Sequence, residues 1–76
     1  MVHLINVFAR NLKFLRKNAG LSQEELAYRA GRHRTYIGAV ERCERNITLK
    51  NVERIAIALN VDPVILLTES EDRENS

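Results

Sequence analysis

Side chains that can bind an anion are concentrated in the first part of the chain. Residues 1–46 carry nine basic side chains against four acidic ones, whereas residues 47–76 carry three against six. The nine are Arg10, Lys13, Arg16, Lys17, Arg29, Arg32, Arg34, Arg42 and Arg45. Binding to a phosphate backbone requires such an asymmetry, although an ordinary solvated surface also produces it.

Metal and covalent chemistry have little support in the residue types. Cys43 is the single cysteine, so it cannot form a disulfide within the chain or complete a four-donor zinc site. His3 and His33 lie far apart in sequence, and we expect surface or helix-capping roles for them. No nucleophile–base pair, paired carboxylates or glycine-rich phosphate loop is recognisable. We therefore expect no metal, no cofactor and no enzymatic activity.

The length of 76 residues suits one domain with a modest core. We place this domain at residues 3–69 and expect a disordered tail at 70–76. No apolar run approaches the roughly 20 residues of a transmembrane helix. The first residues lack a basic leader and are interrupted by Asn6, which is unlike a signal peptide. These features predict a cytoplasmic protein without a membrane partner.

The first two predicted helices have clear boundaries. The first ends at Gly20, and its apolar residues recur at three- and four-residue steps: Leu4 or Ile5, Phe8, Leu12 and Leu15. Ser22 and Glu25 have the spacing of a capping box, which predicts the start of a second helix. Gly31 suits the left-handed conformation that would end this helix after two turns.

Three further short helices complete the prediction. The third covers about residues 34–42, with an apolar strip that contains Ile37 and Val40. Thr48 is the expected cap of a fourth helix, whose helically spaced residues are Leu49, Val52, Ile55, Ala56 and Leu59. Asp62 and Pro63 supply a cap and a first helical position for a fifth helix over 64–68. The fold class is therefore all-α, with five helices around one core.

Two short helices joined by a glycine turn can be a simple packing unit, but the residues at 22–41 are more specific. Their pattern is Leu21-Ser22-Gln23-Glu24-Glu25-Leu26-Ala27, the turn glycine, Arg34-Thr35-Tyr36-Ile37, and Val40-Glu41-Arg42. This pattern resembles the helix-turn-helix of the phage repressor and Cro family, and the resemblance extends over about residues 8–67. It implies a lambda-repressor-like domain whose third helix enters the major groove of double-stranded DNA while the second crosses the backbone.

The resemblance implies that the third helix reads base edges. The positions that match are Arg34, Thr35 and Ala39, flanked by Tyr36 and Gly38. Arg34 can donate two hydrogen bonds to guanine, which would contribute about 1–3 kcal/mol of discrimination. Thr35 can offer its hydroxyl or its methyl group, and the small residues Gly38 and Ala39 would let the helix lie deep in the groove.

The resemblance also implies two groups of phosphate contacts. Ser22 and Gln23 lie at the start of the second helix, where free amides and the helix dipole favour an anion. Arg42, Arg45 and Asn46 match a second clamp around the loop that follows the third helix. A solvated run of surface charge is the alternative reading of this second group.

In relatives a buried ion pair holds the recognition helix, and its positions here are Arg16 and Glu41. Such a pair fixes geometry more than it adds stability, because desolvation offsets much of the attraction. The chain departs from the family at Cys43, where glycine is usual, and at Ile47, where proline is common. A non-glycine residue in a left-handed cap costs on the order of 1 kcal/mol, so this turn is either strained or built differently.

Among family members, the pattern looks most like the controller proteins of restriction-modification systems. That resemblance implies a homodimer on a pseudo-palindromic operator, two dimers on adjacent sites, and contact with RNA polymerase. A phage-type repressor and an antitoxin that acts with a protein partner share most of these residues and stay open as alternatives. Candidates for the dimer interface are Val61, Val64 and Ile65, for which completion of the core is the alternative, whereas Leu66 is expected in the core.

Overall fold

The fold is entirely helical over the part of the chain that the structure, a computed structural model, describes: residues 3–69. The five helices are α1 (Leu4–Asn18), α2 (Gln23–Ala30), α3 (Arg34–Glu41), α4 (Leu49–Leu59) and α5 (Pro63–Leu67). The all-α, five-helix prediction is confirmed. The tail predicted at 70–76 lies outside the described residues.

Side-chain caps begin the helices where the sequence places them. The Ser22 hydroxyl accepts from the Glu25 amide at 3.0 Å, and the Glu25 carboxylate accepts from the Ser22 amide at 3.0 Å. Thr48 caps α4, and Asp62 caps α5 through the Val64 amide at 2.9 Å. These bonds satisfy amides that the first turn of a helix leaves without a backbone partner.

Three helix ends differ from their predicted positions. Helix α1 ends at Asn18, with Ala19 as its C-cap, rather than at Gly20. Helix α3 ends at Glu41 rather than at Arg42, which is its C-cap, and α5 ends at Leu67 rather than at Thr68. Gly31 has φ 69° and ends α2 in the left-handed conformation, as the sequence predicts. In each case the first residue past the helix still donates its amide to a carbonyl of the last turn.

All five helices contribute to one core. Its largest fully buried apolar side chains are Phe8, Leu12, Leu26, Ile37, Ile55, Leu66 and Val40. Asn11 is also buried, and its Nδ2 donates to the carbonyls of Leu66 and Thr68, each at 2.9 Å. Helix α5 has only five residues, and a helix this short is not stable by itself. The hydrogen bonds of Asn11 therefore help to hold α5 against α1.

Candidate nucleic-acid interface

Helices α2 and α3 form a helix-turn-helix around Gly31. The Arg32 amide donates to the Ala27 carbonyl at 2.8 Å, which closes the end of α2. On one side of α3, Ile37 and Val40 are completely buried in the core, whereas Arg34 and Thr35 at the start of the helix are exposed. The buried side therefore fixes which residues α3 presents outward.

The ion pair that the resemblance implies is present between Arg16 and Glu41. Arg16 Nε lies 2.6 Å from Glu41 Oε2, and Arg16 Nη2 lies 3.1 Å from Glu41 Oε1. The two side chains are only 10% and 3% exposed. Arg16 Nη1 also donates to the Leu21 carbonyl at 2.8 Å. This network joins α1, the start of the α2 segment and the end of α3 in one arrangement.

Gln23 connects the same network to the outer face. Its Nε2 donates to Glu41 Oε1 at 3.1 Å, which orients the amide. A Cβ built on Gly38 would lie 3.2 Å from Gln23 Oε1 and 3.1 Å from Arg42 Nη1. Gly38 is therefore buried beneath two side chains that the resemblance assigns to phosphate contacts. Its missing side chain lets Gln23 and Arg42 lie across α3.

An open depression brings predicted base-reading and phosphate-binding residues together. Its lining residues are Gln23, Arg34, Thr35, Gly38 and Arg42. Ala39, which follows Gly38 in the chain, is half-buried, whereas Ser22, Arg45 and Asn46 are exposed. Asn46 lines a different, mostly apolar groove with Leu4 and Leu49. The structure thus collects five of the ten predicted contacts in one place.

Tyr36 is oriented by α4 rather than being free in solvent. Its hydroxyl accepts from Asn51 Nδ2 at 2.9 Å, and its ring packs against the core. The Arg45 guanidinium carbon lies 5.4 Å from the ring centroid, within the range of a cation–π contact. Tyr36 therefore links α3 to α4 and to an arginine that the resemblance assigns to phosphate.

The charged groups of the interface have weak, exchangeable partners. Arg34 Nη1 lies 3.6 Å from Glu24 Oε2, and the side chains are 66% and 75% exposed. Arg42 Nε lies 3.0 Å from Glu44 Oε1 in a similarly exposed pair. Exposed pairs of this kind contribute about 1 kcal/mol or less, so both arginines can exchange their carboxylates for a stronger anion at little cost.

The N-terminus of α2 carries one carboxyl group with a shifted pKa. The hydrogen bond from the Ser22 amide, followed by the one from the Ser22 hydroxyl, holds the pKa of Glu25 below its ordinary value of 4.5. A smaller contribution comes from the charge of Arg29, while burial acts in the opposite direction. Glu25 therefore stays ionised and keeps the capping box closed at neutral pH.

The loop after α3 contains a left-handed residue that is not glycine. Cys43 has φ 61°, and the adjacent amide of Glu44 donates to the Ala39 carbonyl at 2.8 Å. Of the two alternatives that the sequence leaves open, the strained turn is the one observed. Ile47 is partly buried against the core, so the position where proline is common contributes apolar contact here.

The candidates for a dimer interface differ in exposure. Val64 is 66% exposed and Ile65 is 37% exposed, whereas Val61 is partly buried against the core. Leu66 is fully buried, as expected for a core residue. Val64 is thus the most exposed of the three candidates, and Ile65 is exposed to a smaller extent.

Sequence reasoning missed the contacts made by Asn11 and Asn51. Asn11 occupies an apolar-face position of α1, and a polar residue at such a position is a usable signal for a buried hydrogen-bonded group. Asn51 offers no comparable signal, because its partner Tyr36 is fifteen residues away on another helix. Only the packing of α3 against the start of α4 reveals it.

Comparison with protein families gives an independent assignment. Residues 12–66, most of the chain, match the family model described as helix-turn-helix. Within residues 3–69, no helix combines the length and apolar character that crossing a membrane would require.

Two relatives carry informative descriptions. A hypothetical transcription factor of Neisseria meningitidis is 48% identical over 67 residues, which cover 88% of this chain and 63% of that protein. The chain thus spans slightly less than two thirds of the Neisseria protein. Control protein C.SmaI of Serratia marcescens is 50% identical over 62 residues, which cover 82% of this chain and 74% of that protein.

The solved structures to which this chain is similar also include controller proteins. The restriction-modification controller protein C.AhdI of Aeromonas hydrophila has a TM-score of 0.79 and 44% identity, over 82% of this chain and 94% of its own. The controller protein C.Esp1396I, solved as a tetramer with its natural 35-base-pair operator, has a TM-score of 0.79 and 36% identity over 87% of each chain. The chain described here belongs to the helix-turn-helix family of transcriptional regulators, in the group that contains the restriction-modification controller proteins.

Proposed function

We propose that this chain is itself a restriction-modification controller protein that acts in the cytoplasm and binds operator DNA in a sequence-specific way. The observation that carries the proposal is the open depression that joins Arg34 and Thr35 to Gln23 and Arg42. In this depression, groups suited to base edges and groups suited to phosphates lie on the same side of α2 and α3. Membership of a family of DNA-binding regulators supports the cytoplasmic location.

In the proposed complex, α3 lies in the major groove with its first residues at the base edges. Arg34 donates its planar pair of N–H groups to guanine O6 and N7. Thr35 reads a neighbouring base, while Gly38 and Ala39 allow close approach. The ion pair of Arg16 and Glu41 keeps α3 at a fixed angle, so that Arg34 reaches the same base in each complex.

The phosphates are held from both sides of α3. Ser22 and Gln23 contribute the start of α2, and Gln23 keeps its second N–H available because the other donates to Glu41. Arg42, Arg45 and Asn46 hold the backbone on the other side. Tyr36 takes part by holding Arg45 through its ring and by joining α3 to α4 through its hydrogen bond with Asn51.

Two copies of the chain bind a pseudo-palindromic operator as a homodimer. One eight-residue recognition helix reads only half a site, and a twofold dimer doubles its contacts. Val64 and Ile65 on α5, with Val61 at the edge of the core, form the proposed interface. The operator-bound tetramer of C.Esp1396I supports a pair of dimers on adjacent sites. At sites where the protein activates transcription, the proposal includes a contact between the protein and RNA polymerase.

A binding titration on the DNA immediately upstream of the protein's own gene tests the proposal. Wild type, Arg34→Ala and Arg34→Lys are compared at low and moderate salt, on this DNA and on an unrelated duplex. We expect wild type to bind the upstream DNA specifically, with an affinity that falls steeply with salt. Both variants lose discrimination by roughly tenfold or more, because lysine keeps the charge but not the two-pronged geometry. Equal binding of wild type to both duplexes would contradict the proposal.

A further inference from the structure

His33, the residue just before α3, makes two contacts with Thr35 through one ring nitrogen. Its Nδ1 accepts a hydrogen bond from the Thr35 amide at 3.2 Å, and it lies 2.8 Å from Thr35 Oγ1. His33 is thus the N-cap of the recognition helix, in the position usually held by serine, threonine, asparagine or aspartate.

These contacts favour one tautomer of the His33 ring. A backbone amide can only donate, so in the tautomer that accepts the Thr35 amide Nδ1 carries the lone pair and Nε2 carries the proton. The same Nδ1 cannot donate to the threonine oxygen. In that tautomer the Thr35 hydroxyl shares the Nδ1 lone pair with the amide and donates its single proton to it, which leaves its oxygen with acceptor capacity alone.

Thr35 lies where this polarity would matter to DNA. It is exposed in the first turn of α3, and it lines the same depression as Arg34, Gly38 and the two side chains that cover Gly38. An unconstrained threonine hydroxyl rotates to donate or accept, so it discriminates poorly between bases. A hydroxyl held by His33 has lost this freedom.

We propose that His33 sets the base specificity of Thr35 by holding its hydroxyl as a hydrogen-bond acceptor toward the major groove. The inference rests on the proposed function, since it assumes that α3 reads base edges. In the major groove, adenine N6 and cytosine N4 present donors, whereas guanine O6 and thymine O4 present acceptors. Thr35 then selects adenine or cytosine on the strand that it faces, while Arg34 selects guanine. Neighbouring residues of one helix read opposite hydrogen-bond patterns.

The tautomer can be measured directly in the full chain. Nitrogen-15 NMR of uniformly labelled protein at neutral pH distinguishes a ring nitrogen with a lone pair from one that bears hydrogen. We expect His33 to be protonated at Nε2 alone, whereas His3, whose side chain makes no cap hydrogen bond, serves as the internal reference. A proton on Nδ1 of His33 would overturn the proposal without reference to DNA.

Selection from a pool of randomised duplexes tests the consequence for specificity. Wild type is compared with His33→Asn, His33→Gly and Thr35→Val. Asparagine keeps an acceptor for Thr35, whereas glycine caps a helix nearly as well but offers no side chain. Thermal unfolding of each variant verifies that the fold is retained.

We expect wild type and His33→Asn to enrich adenine or cytosine about tenfold at one position of each half-site. His33→Gly loses most of this preference and still selects guanine opposite Arg34, and Thr35→Val loses it as well. Retention of the preference by His33→Gly, with a selected site otherwise like that of wild type, would overturn this inference alone. If wild type enriches no sequence, the proposed function fails and the inference fails with it.

Discussion

At the residue scale, two arginines near the ends of α3 would carry different information. Arg34 lies in the first turn, which the proposed complex brings to the base edges, and its partner Glu24 is exposed. Arg42 lies past the last turn and extends back across Gly38 toward Gln23. In the proposed complex Arg34 would read a base and Arg42 would hold a phosphate. This difference follows from their location along α3, because the two side chains are chemically identical.

Arg42→Ala is expected to weaken binding to the operator and to unrelated DNA by a similar factor. Removing one phosphate contact also reduces the slope of log affinity against log salt by about one. Fluorescence anisotropy titrations at several salt concentrations measure both quantities. Lys13→Ala, which removes an exposed charge outside the depression, is the control. A loss restricted to the operator would show that Arg42 reads sequence instead.

Cys43→Gly is expected to stabilise the protein by about 1 kcal/mol, because glycine has no Cβ to conflict with a φ of 61°. Asn60→Gly is the matched control: Asn60 has φ 57°, but asparagine tolerates this region, so a smaller gain follows. Urea unfolding of the two variants gives the comparison. An equal or larger gain from Asn60→Gly would contradict the strain assigned to Cys43.

At the element scale, the angle of the recognition helix depends on a polar network rather than on its short apolar strip alone. Helix α3 has eight residues, and Glu41 at its end accepts hydrogen bonds from Arg16 of α1 and from Gln23 of α2. Helices this short are marginal without tertiary contacts. The network therefore couples the orientation of α3 to both neighbours.

Glu41→Ala is expected to destabilise the fold by about 3–5 kcal/mol, because it leaves the buried Arg16 charge without its partner. The double variant Arg16→Met, Glu41→Leu should recover much of that loss, since apolar residues of similar size remove both charges together. Chemical denaturation measures each free energy of unfolding. If the double variant is no more stable than Glu41→Ala, packing and not the unpaired charge accounts for the loss.

Helix α2 should show a pH dependence that comes from Glu25. Its pKa is lower in the folded chain than its ordinary value of 4.5, so its charge stabilises the fold above pH 4.5. This stabilisation disappears as the pH falls through the lowered folded pKa. Glu25→Gln keeps the hydrogen bond of the capping box without the charge. The difference in unfolding free energy between wild type and Glu25→Gln should therefore narrow in acid, and a constant difference would contradict the assignment.

At the scale of the whole molecule, the proposed DNA-binding depression and the proposed dimer interface are on different helices, joined through the core. Leu66 anchors α5 in this core, and Asn11 holds the last carbonyls of α5. Val64 and Ile65 are exposed on the same short helix. The spacing between two recognition helices in a dimer would thus be set by contacts remote from the DNA.

Val64→Glu is expected to shift the protein toward monomer and to weaken operator binding much more than nonspecific binding. A charge placed in an apolar interface is desolvated without a partner, which is unfavourable. Sedimentation velocity gives the oligomeric state. Tyr28→Glu, at an 87% exposed position of α2, is the control that should remain a dimer. Unchanged sedimentation of Val64→Glu would move the interface away from α5.

Local chemistry was sufficient to predict much of this protein from its sequence. The five helices follow from caps and apolar spacing, because Ser22, Thr48 and Asp62 act on amides within three residues of themselves. The left-handed end of α2 is also a local feature, because it depends on Gly31 alone, which has no Cβ. The pairing of Arg16 with Glu41 was available only through the family pattern, since twenty-five residues separate them.

The tertiary structure alone decided where several side chains point. It placed Gly38 beneath Gln23 and Arg42, turned the Tyr36 hydroxyl toward Asn51, and buried Asn11 against the end of α5. Each of these contacts joins residues on different helices or across a helix end, and its geometry depends on how the helices pack. Sequence spacing describes the surface of one helix at a time, and it therefore leaves such orientations undetermined.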